Sequence, residues 1–334
     1  MMSQSSRLAK LFDTITDNLP VCGPILLIRA TDNPAYHTLD PAMVHCIQSF
    51  KPDVDRLERI GLTAHKTLPQ NATAAIVELT RSKQENLSNI AKAHAALRQG
   101  ATLYIDGAKT DGIDSISKAV KKLTAVDGSY AKAHGKTIWL TKKQNDNPFQ
   151  DWLDLTDCGK NKDGFWTVPG IFSAGAIDPA SAFLCANITQ PLSGKGADLG
   201  AGWGYLSQHA LQKYPKITQL DLFEAEHISL DCAQKNITDI RAFFHWSDIT
   251  AMPAKAVYDF ILMNPPFHVS RKADPSIGRT FIAKAANMLN PKGRLWMVAN
   301  KQLPYEACLD DHFNTWSYIA QSSQYKIIQA RRPK

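Results

Sequence analysis

No stretch of eighteen or more apolar residues occurs in this chain, which excludes a membrane-spanning helix. The opening residues, Met1-Met2-Ser3-Gln4-Ser5-Ser6-Arg7, lack the apolar core of a secretory signal. Cysteine is scarce. The six in 334 residues (Cys22, Cys46, Cys158, Cys185, Cys232 and Cys308) stand far apart, and no two have a metal-ligand spacing. They read as reduced, mostly buried thiols of a cytoplasmic protein without a metal centre. An acidic excess is missing too: the net charge is +7, which suits a polyanionic partner. Charged residues make up 21% against 44% hydrophobic, which excludes a disordered chain.

What is present is length enough for two cores. The most polar, turn-rich stretch is Gln144-Asn145-Asp146-Asn147-Pro148, with Cys158-Gly159-Lys160-Asn161-Lys162-Asp163-Gly164 just after it. A boundary near 150 follows, giving domains at 1–150 and 151–334. Residues 1–150 hold 19 Lys and Arg against 14 Asp and Glu; residues 151–334 hold 19 against 17. The positive excess thus lies in the first half, where Lys118, Lys121, Lys122, Lys132, Lys136, Lys142 and Lys143 fall. Such a run serves equally as a solvated helix face or a nucleic-acid surface. The tail Arg331-Arg332-Pro333-Lys334 is expected to fray.

In the second half, strand and helix patterns alternate. Strands are expected over 196–199, 218–223, 242–246, 258–263, 294–299 and 325–330, and helices over 205–214, 228–236 and 278–289. Asn290-Pro291-Lys292-Gly293 reads as a helix stop. This alternation implies a mostly parallel, doubly wound sheet. The first half carries a fainter version, with strands over 25–29, 74–78 and 101–105 and a helix over 88–97. Its Ala96-Leu97-Arg98-Gln99-Gly100 resembles Met288-Leu289-Asn290-Pro291-Lys292-Gly293, which suggests an internal duplication. After its opening strand the first half has Ala30-Thr31-Asp32-Asn33-Pro34 and no glycine loop, so a duplicate there has lost any cofactor site.

Asn264-Pro265-Pro266-Phe267 follows the buried run Tyr258-Asp259-Phe260-Ile261-Leu262-Met263. Two successive prolines fix φ and remove two N–H donors, so the turn presents carbonyls in a rigid frame. The Asn264 side-chain oxygen and the Pro265 carbonyl can accept both hydrogens of a planar amine, and Phe267 can lie against the ring that bears it. An ordinary Pro-rich loop is the bland alternative, but a cofactor signal stands upstream. Asp198-Leu199-Gly200-Ala201-Gly202-Trp203-Gly204 joins a strand to a helix, with Gly200, Gly202 and Gly204 allowing close backbone approach. The acid before the glycines repels a pyrophosphate and attracts a cationic amino-acid moiety, which favours S-adenosylmethionine over a dinucleotide. Glu224 ends the next strand, placed for ribose hydroxyls, and Asp248 ends the third, placed for an adenine amine. Taken singly, these acids serve as well as a helix cap and a solvated turn.

The second half resembles class I S-adenosylmethionine-dependent methyltransferases. More narrowly, it is similar to bacterial ribosomal RNA guanine-N2 methyltransferases of the small-subunit type. The likeness runs over about 165–330. Beyond the glycine loop and Asn264-Pro265-Pro266-Phe267-His268, it rests on Val168-Pro169-Gly170-Ile171-Phe172-Ser173 with Gly175 and Asp178, on Val298-Ala299-Asn300 and on Leu303-Pro304-Tyr305. The resemblance implies a catalytic Rossmann-like C-terminal domain after a degenerate methyltransferase-like α/β domain that binds RNA. It implies Phe172 and Asp178 at the methionine end of the cofactor, and ribosomal RNA or a ribosomal subunit as partner. A monomer is expected. Trp203 is a bulky departure inside the glycine loop, and His268 reads as a structural turn residue rather than a base. Other targets stay open: a large-subunit guanine, adenine N6, or a glutamine amide. So does a non-catalytic RNA-binding or assembly factor that keeps the fold.

Overall fold

The run over 258–263 is apolar at nearly every position because it crosses the middle of a parallel sheet covered on both faces. The structure, a computed structural model, describes residues 7–14, 23–144, 147–266 and 275–334. The chain divides into two units, Met1–Asp157 and Cys158–Lys334.

The second unit opens with a short antiparallel pair, β7 (Gly159–Lys160) and β8 (Trp166–Thr167), and then α5 (Pro179–Asn187). Its main sheet holds β9 (Gly194–Leu199), β10 (Ile217–Glu224), β11 (Ala242–Trp246), β12 (Tyr258–Met263), β13 (Leu289–Asn300), β14 (Phe313–Gln321) and β15 (Tyr325–Pro333). Helices α6 (Tyr205–Lys213), α7 (His227–Asn236), α8 (Pro275–Met288) and α9 (Glu306–His312) join them. The strand order is β11-β10-β9-β12-β13-β15-β14, parallel through β13 and antiparallel at β15 and β14. Side chains alternate between faces with period two. Ile261 and Met263 therefore join the core under α8, and Phe260 and Leu262 the core under α5 and α6. The chain leaves β9 for β10 on one side and later reaches β12 on the other, so β9 is the switch point where ligands of such sheets bind.

The first unit repeats this order. After α1 (Arg7–Thr14) come β1 (Ile25–Ile28), β2 (Val44–Ile47), α2 (Lys51–Arg59), β3 (Ala72–Glu78), α3 (Lys83–Ala96), β4 (Leu97–Ala108), α4 (Ile113–Leu123), β5 (Gly128–Lys132) and β6 (Gly135–Thr141). The sheet runs β2-β1-β3-β4-β6-β5, with β6 and β5 antiparallel. The place that β11 takes in the second unit is reduced here to one parallel bridge, Cys46 to Ala64.

Two expectations are corrected. Asn290-Pro291-Lys292-Gly293 does follow the end of α8 at Met288, but it is no separate turn: Tyr258 pairs with Leu289 and Phe260 with Arg294, so residues 290–293 bow out within β13. The first unit does the same, pairing Ala72 with Leu97 and Ala74 with Thr102. The tail is not frayed either, because Arg331 pairs with Arg294 and the Lys334 N–H donates to the His312 carbonyl at 3.0 Å. Among the described residues no helix is long and apolar enough to cross a membrane, and no group of three or more His, Cys, Asp or Glu is placed to hold a metal.

Candidate active site

The register sets one row across the carboxyl ends of the second unit's strands. Leu199 pairs with Phe223 and with Met263, so Gly200, Glu224 and Asn264 stand side by side at the next step. Asp248 lies two residues past β11. The structure thus brings the glycine loop, both later acids and the Asn-Pro-Pro turn to one sheet edge. Phe267 and His268 lie outside the described residues.

The loop after β9 depends on its glycines. Gly200, Gly202 and Gly204 have φ of 76°, 55° and 92°. That left-handed region costs other L residues roughly 1–2 kcal/mol. A Cβ on Gly204 would sit 2.8 Å from Ile237 Cδ1, whereas one on Gly202 would meet nothing within 4 Å. Gly204 is there for packing against α7; Gly202 faces open space.

Asp198 is 0% exposed. The Ser207 hydroxyl donates to its Oδ2 at 2.7 Å, while Oδ1 is buried with no partner among the described residues. Burial pushes this carboxyl up to about 7, with the nearby Glu224 adding to the rise and Ser207 opposing it. An orphaned buried carboxylate oxygen is costly. A cationic group reaching it would remove that cost.

Glu224 accepts the Gly202 N–H on Oε2 and the Glu226 N–H on Oε1, each at 2.8 Å. It therefore ties the glycine loop to the end of β10. Burial raises its pKa against those bonds. Each oxygen keeps a lone pair for a hydroxyl donor. Asp248 accepts the Thr250 N–H at 2.8 Å and hydroxyl at 2.6 Å, both on Oδ1, closing its own turn.

Asn264 donates from Nδ2 to Asp178 Oδ2 at 2.8 Å and to Ser181 Oγ at 2.9 Å. Asp178 is also the N-cap of α5, accepting the Ser181 N–H at 2.8 Å. The described contacts thus bind Asp178 to the Asn-Pro-Pro turn. Phe172 is 59% exposed, and its carbonyl accepts the Trp203 indole N–H at 3.0 Å. Trp203 itself is buried against Phe165, ring centroids 4.8 Å apart, so the bulky departure fastens the Pro-Gly-Ile-Phe-Ser segment to the glycine loop.

Sequence reasoning missed Ser181, Ser207 and Asn236. Asn236 donates to the carbonyls of Trp203 and Trp166 and accepts the Trp166 N–H, joining β8 to the loop. Asp178-Pro179-Ala180-Ser181 did carry a helix-start signal, an acid before Pro at the first helical position.

The first unit keeps the row with other residues. Ile28 pairs with Ile47 and Val77 as Leu199 does with Phe223 and Met263. Leu27 then stands where Asp198 does, Arg29 where Gly200 does, Gln48 where Glu224 does and Glu78 where Asn264 does. Arg29 also has a left-handed φ of 57°, and its N–H bonds Ile47 as that of Gly200 bonds Phe223. Its guanidinium pairs with Glu85 at 2.6 Å and donates to Gln48 and Ser49. Glu78 accepts from the Thr31 hydroxyl and Tyr36, and burial pushes it up to about 7.

Known proteins bear likenesses to this chain. A protein of Psychromonas ingrahamii named ribosomal RNA small subunit methyltransferase C is 28% identical, covering 76% of this chain and 74% of its own. One of the same name from Yersinia enterocolitica is 28% identical over 86% of this chain and 82% of its own. A solved T. thermophilus structure, a 16S rRNA N2 G1207 methyltransferase in complex with AdoMet and guanosine, superposes with a TM-score of 0.79. At 23% identity it covers 99% of this chain and 93% of that one, and it shows the fold shared by both units. The model of the methyltransferase small domain matches residues 162–329, half of the chain and the whole of the second unit's row of Gly200, Glu224 and Asn264, and the protein belongs to that family.

Proposed function

We propose that this protein transfers the methyl group of S-adenosyl-L-methionine to the exocyclic N2 amine of a guanine in small-subunit (16S) ribosomal RNA. The observation that carries this reading is Asn264. Its amide nitrogen is turned inward by Asp178 and Ser181, so its oxygen is left to accept from an amine, in the same row as the acid-led glycine loop. The names of the small-subunit relatives and of the T. thermophilus guanine-N2 enzyme support the choice of substrate.

The cofactor fits the residues present. Asp198 Oδ1, buried without a partner, suits the methionine ammonium. Glu224 suits the ribose hydroxyls, Asp248 the adenine amine, and the open side of Gly202 the close passage of the ligand. Gly200 and Gly204 hold the loop shape, and Phe172 and Asp178 border the methionine end. Bound there, the cofactor supplies an electrophilic methyl on a positively charged sulfur.

The guanine amine is a poor nucleophile because its lone pair is delocalised into the ring. Asn264 Oδ1 and the Pro265 carbonyl accept its two hydrogens, which turns the lone pair toward the methyl. Positive charge would grow on that nitrogen as it takes the methyl, and Asn264 Oδ1 and the Pro265 carbonyl would face it. Acceptors already in place stabilise that charge more than they stabilise the ground state. Alignment for in-line attack supplies much of the rest. The alkylated nitrogen then loses a proton to solvent, so no strong base is required. Phe267 stacks on the target base, which leaves its neighbours to enter the site.

We assign the first unit as a degenerate copy of the second that serves RNA binding through its basic excess. The shared strand order, the shared excursion within β13 and β4 and the matched row support descent by duplication. The partner is ribosomal RNA or a ribosomal subunit, met in the cytoplasm by a monomer.

Asn264→Ala tests the reading. Methyl transfer to ribosomal RNA should fall about a hundredfold or more, the scale of a lost transition-state acceptor. S-adenosylmethionine affinity, followed by calorimetry, should stay within about threefold. Near-normal turnover would sink the mechanism.

A further inference from the structure

Resting on the reading above, we propose that Ser181 is a positioning residue whose hydroxyl, with the Asp178 carboxylate, fixes the flip state of the Asn264 amide and so makes the site accept amines and refuse carbonyls. A side-chain amide is nearly symmetric in shape, with two donors at one end and an acceptor at the other. Shape alone leaves either end free to face the substrate, and only the hydrogen-bond partners decide.

Here the carboxylate partner is one-sided, and the hydroxyl holds the second amide hydrogen in place. Asp178, when ionised, only accepts. Its Oδ2 takes the Ser181 N–H at 2.8 Å and the Asn264 amide at 2.8 Å, and Ser181 Oγ takes the amide at 2.9 Å. These bonds close a triangle between α5 and the turn after β12, across 83 and 86 residues of sequence. With both amide hydrogens spoken for, Oδ1 is the end left for a substrate. A flipped amide would set its oxygen against the Asp178 carboxylate and lose that bond, which the Ser181 hydroxyl, even turned to donate, does not replace. Each bond to a charged or well-placed acceptor shifts such a balance on the order of 10- to 100-fold.

The Ser181 hydroxyl has no part in starting α5, because Asp178 already caps the helix through the Ser181 backbone. Its side chain lies in a residue only 7% exposed and meets the amide instead. In this reading the Ser181 hydroxyl meets the Asn264 amide and neither the cofactor nor the base. It acts through Asn264, and it explains selectivity on a guanine edge: N2 offers hydrogens to Oδ1, whereas O6 offers only lone pairs that Oδ1 repels.

The test compares Ser181→Ala with Ser181→Thr, which keeps an acceptor, and with Ser181→Cys, which keeps the volume but accepts weakly. Single-turnover methyl transfer, S-adenosylmethionine affinity, KM for RNA and thermal unfolding are read for each. Ser181→Ala and Ser181→Cys should lose about 10- to 100-fold in the chemical rate, with cofactor affinity and KM within twofold, and Ser181→Thr should recover at least half of that loss on a log scale. If Ser181→Ala does not fold, the Cys and Thr pair decides alone. A rate within threefold of the parent in the folded acceptor-poor variants overturns the clamp. So does a loss that tracks cofactor affinity or the folded fraction. Asn264→Ala run beside them separates the two readings: if it stays active the methyl-transfer mechanism fails, and if it is dead while Ser181→Ala is active only the clamp fails.

Discussion

Cofactor binding to this protein should be strongly pH-dependent, and Asp198 sets the size of the effect. In the free protein its carboxyl is fully buried, with Oδ1 unpartnered, and is pushed up to about 7. An ammonium placed beside it favours the ionised form and pulls the value back down. Below about 7, binding must therefore expel a proton, and affinity weakens as pH falls. If the bound-state value lies well below 5, affinity at pH 5 is about fiftyfold weaker than at pH 7, and the slope approaches tenfold per pH unit at the acid end. Above about 8 the ligand's own α-amine loses charge, so the useful window is about 5 to 7.5. Titration calorimetry in two buffers of different ionisation heat reads the affinity and the proton count together. Asp198→Asn should bind weakly and lose most of the slope; the remainder belongs to Glu224, which burial also raises. An affinity flat within threefold across the window, or a slope unchanged in Asp198→Asn, refutes the reasoning.

The glycines separate packing from ligand contact. Gly204→Ala meets Ile237 at 2.8 Å in a left-handed residue and should cost about 2–3 kcal/mol in denaturant unfolding, whereas Gly202→Ala, with open space, should cost about 1 kcal/mol yet lose cofactor binding. In the first unit, Arg7 donates from Nε and Nη2 to the two oxygens of Asp106 at 2.7 and 2.8 Å, with the side chains only 9% and 11% exposed. Arg7→Ala strands that carboxylate and should cost about 3–5 kcal/mol, part of which Asp106→Asn in the same chain restores.

The sequence displayed those parts of the site that sit next to a strand. The expected strands over 242–246 and 258–263 match β11 and β12 to the residue, because short apolar runs bounded by turns leave little choice. The glycine loop, Glu224, Asp248 and Asn264 fall on one sheet edge for the same reason: the position after a buried strand is fixed by the strand. What stayed hidden depends on distance along the chain. The Asn264–Ser181 contact joins residues 83 apart, and Asn236 reaches 70 residues back to Trp166; no local pattern reports either. Residues 290–293 misled because Pro and Gly stop a helix equally well before a turn or inside an excursion from a strand. The β5–β6 hairpin went unread since β5 is half-exposed and lacks an apolar stripe, while α4 was legible only as a lysine-bearing face.

Arg29 has a bearing on how the two halves answer to cellular chemistry. Its ion pair with Glu85 and its bonds to Gln48 and Ser49 complete the first unit from within, where the second leaves Asp198 Oδ1 waiting for a visitor. A ligand raises the stability only of the fold that binds it. The supply of methyl donor therefore acts on the heat or protease resistance of residues 158–334 directly, whereas residues 1–157, with Leu27 in the place of Asp198, offer it no matching acid.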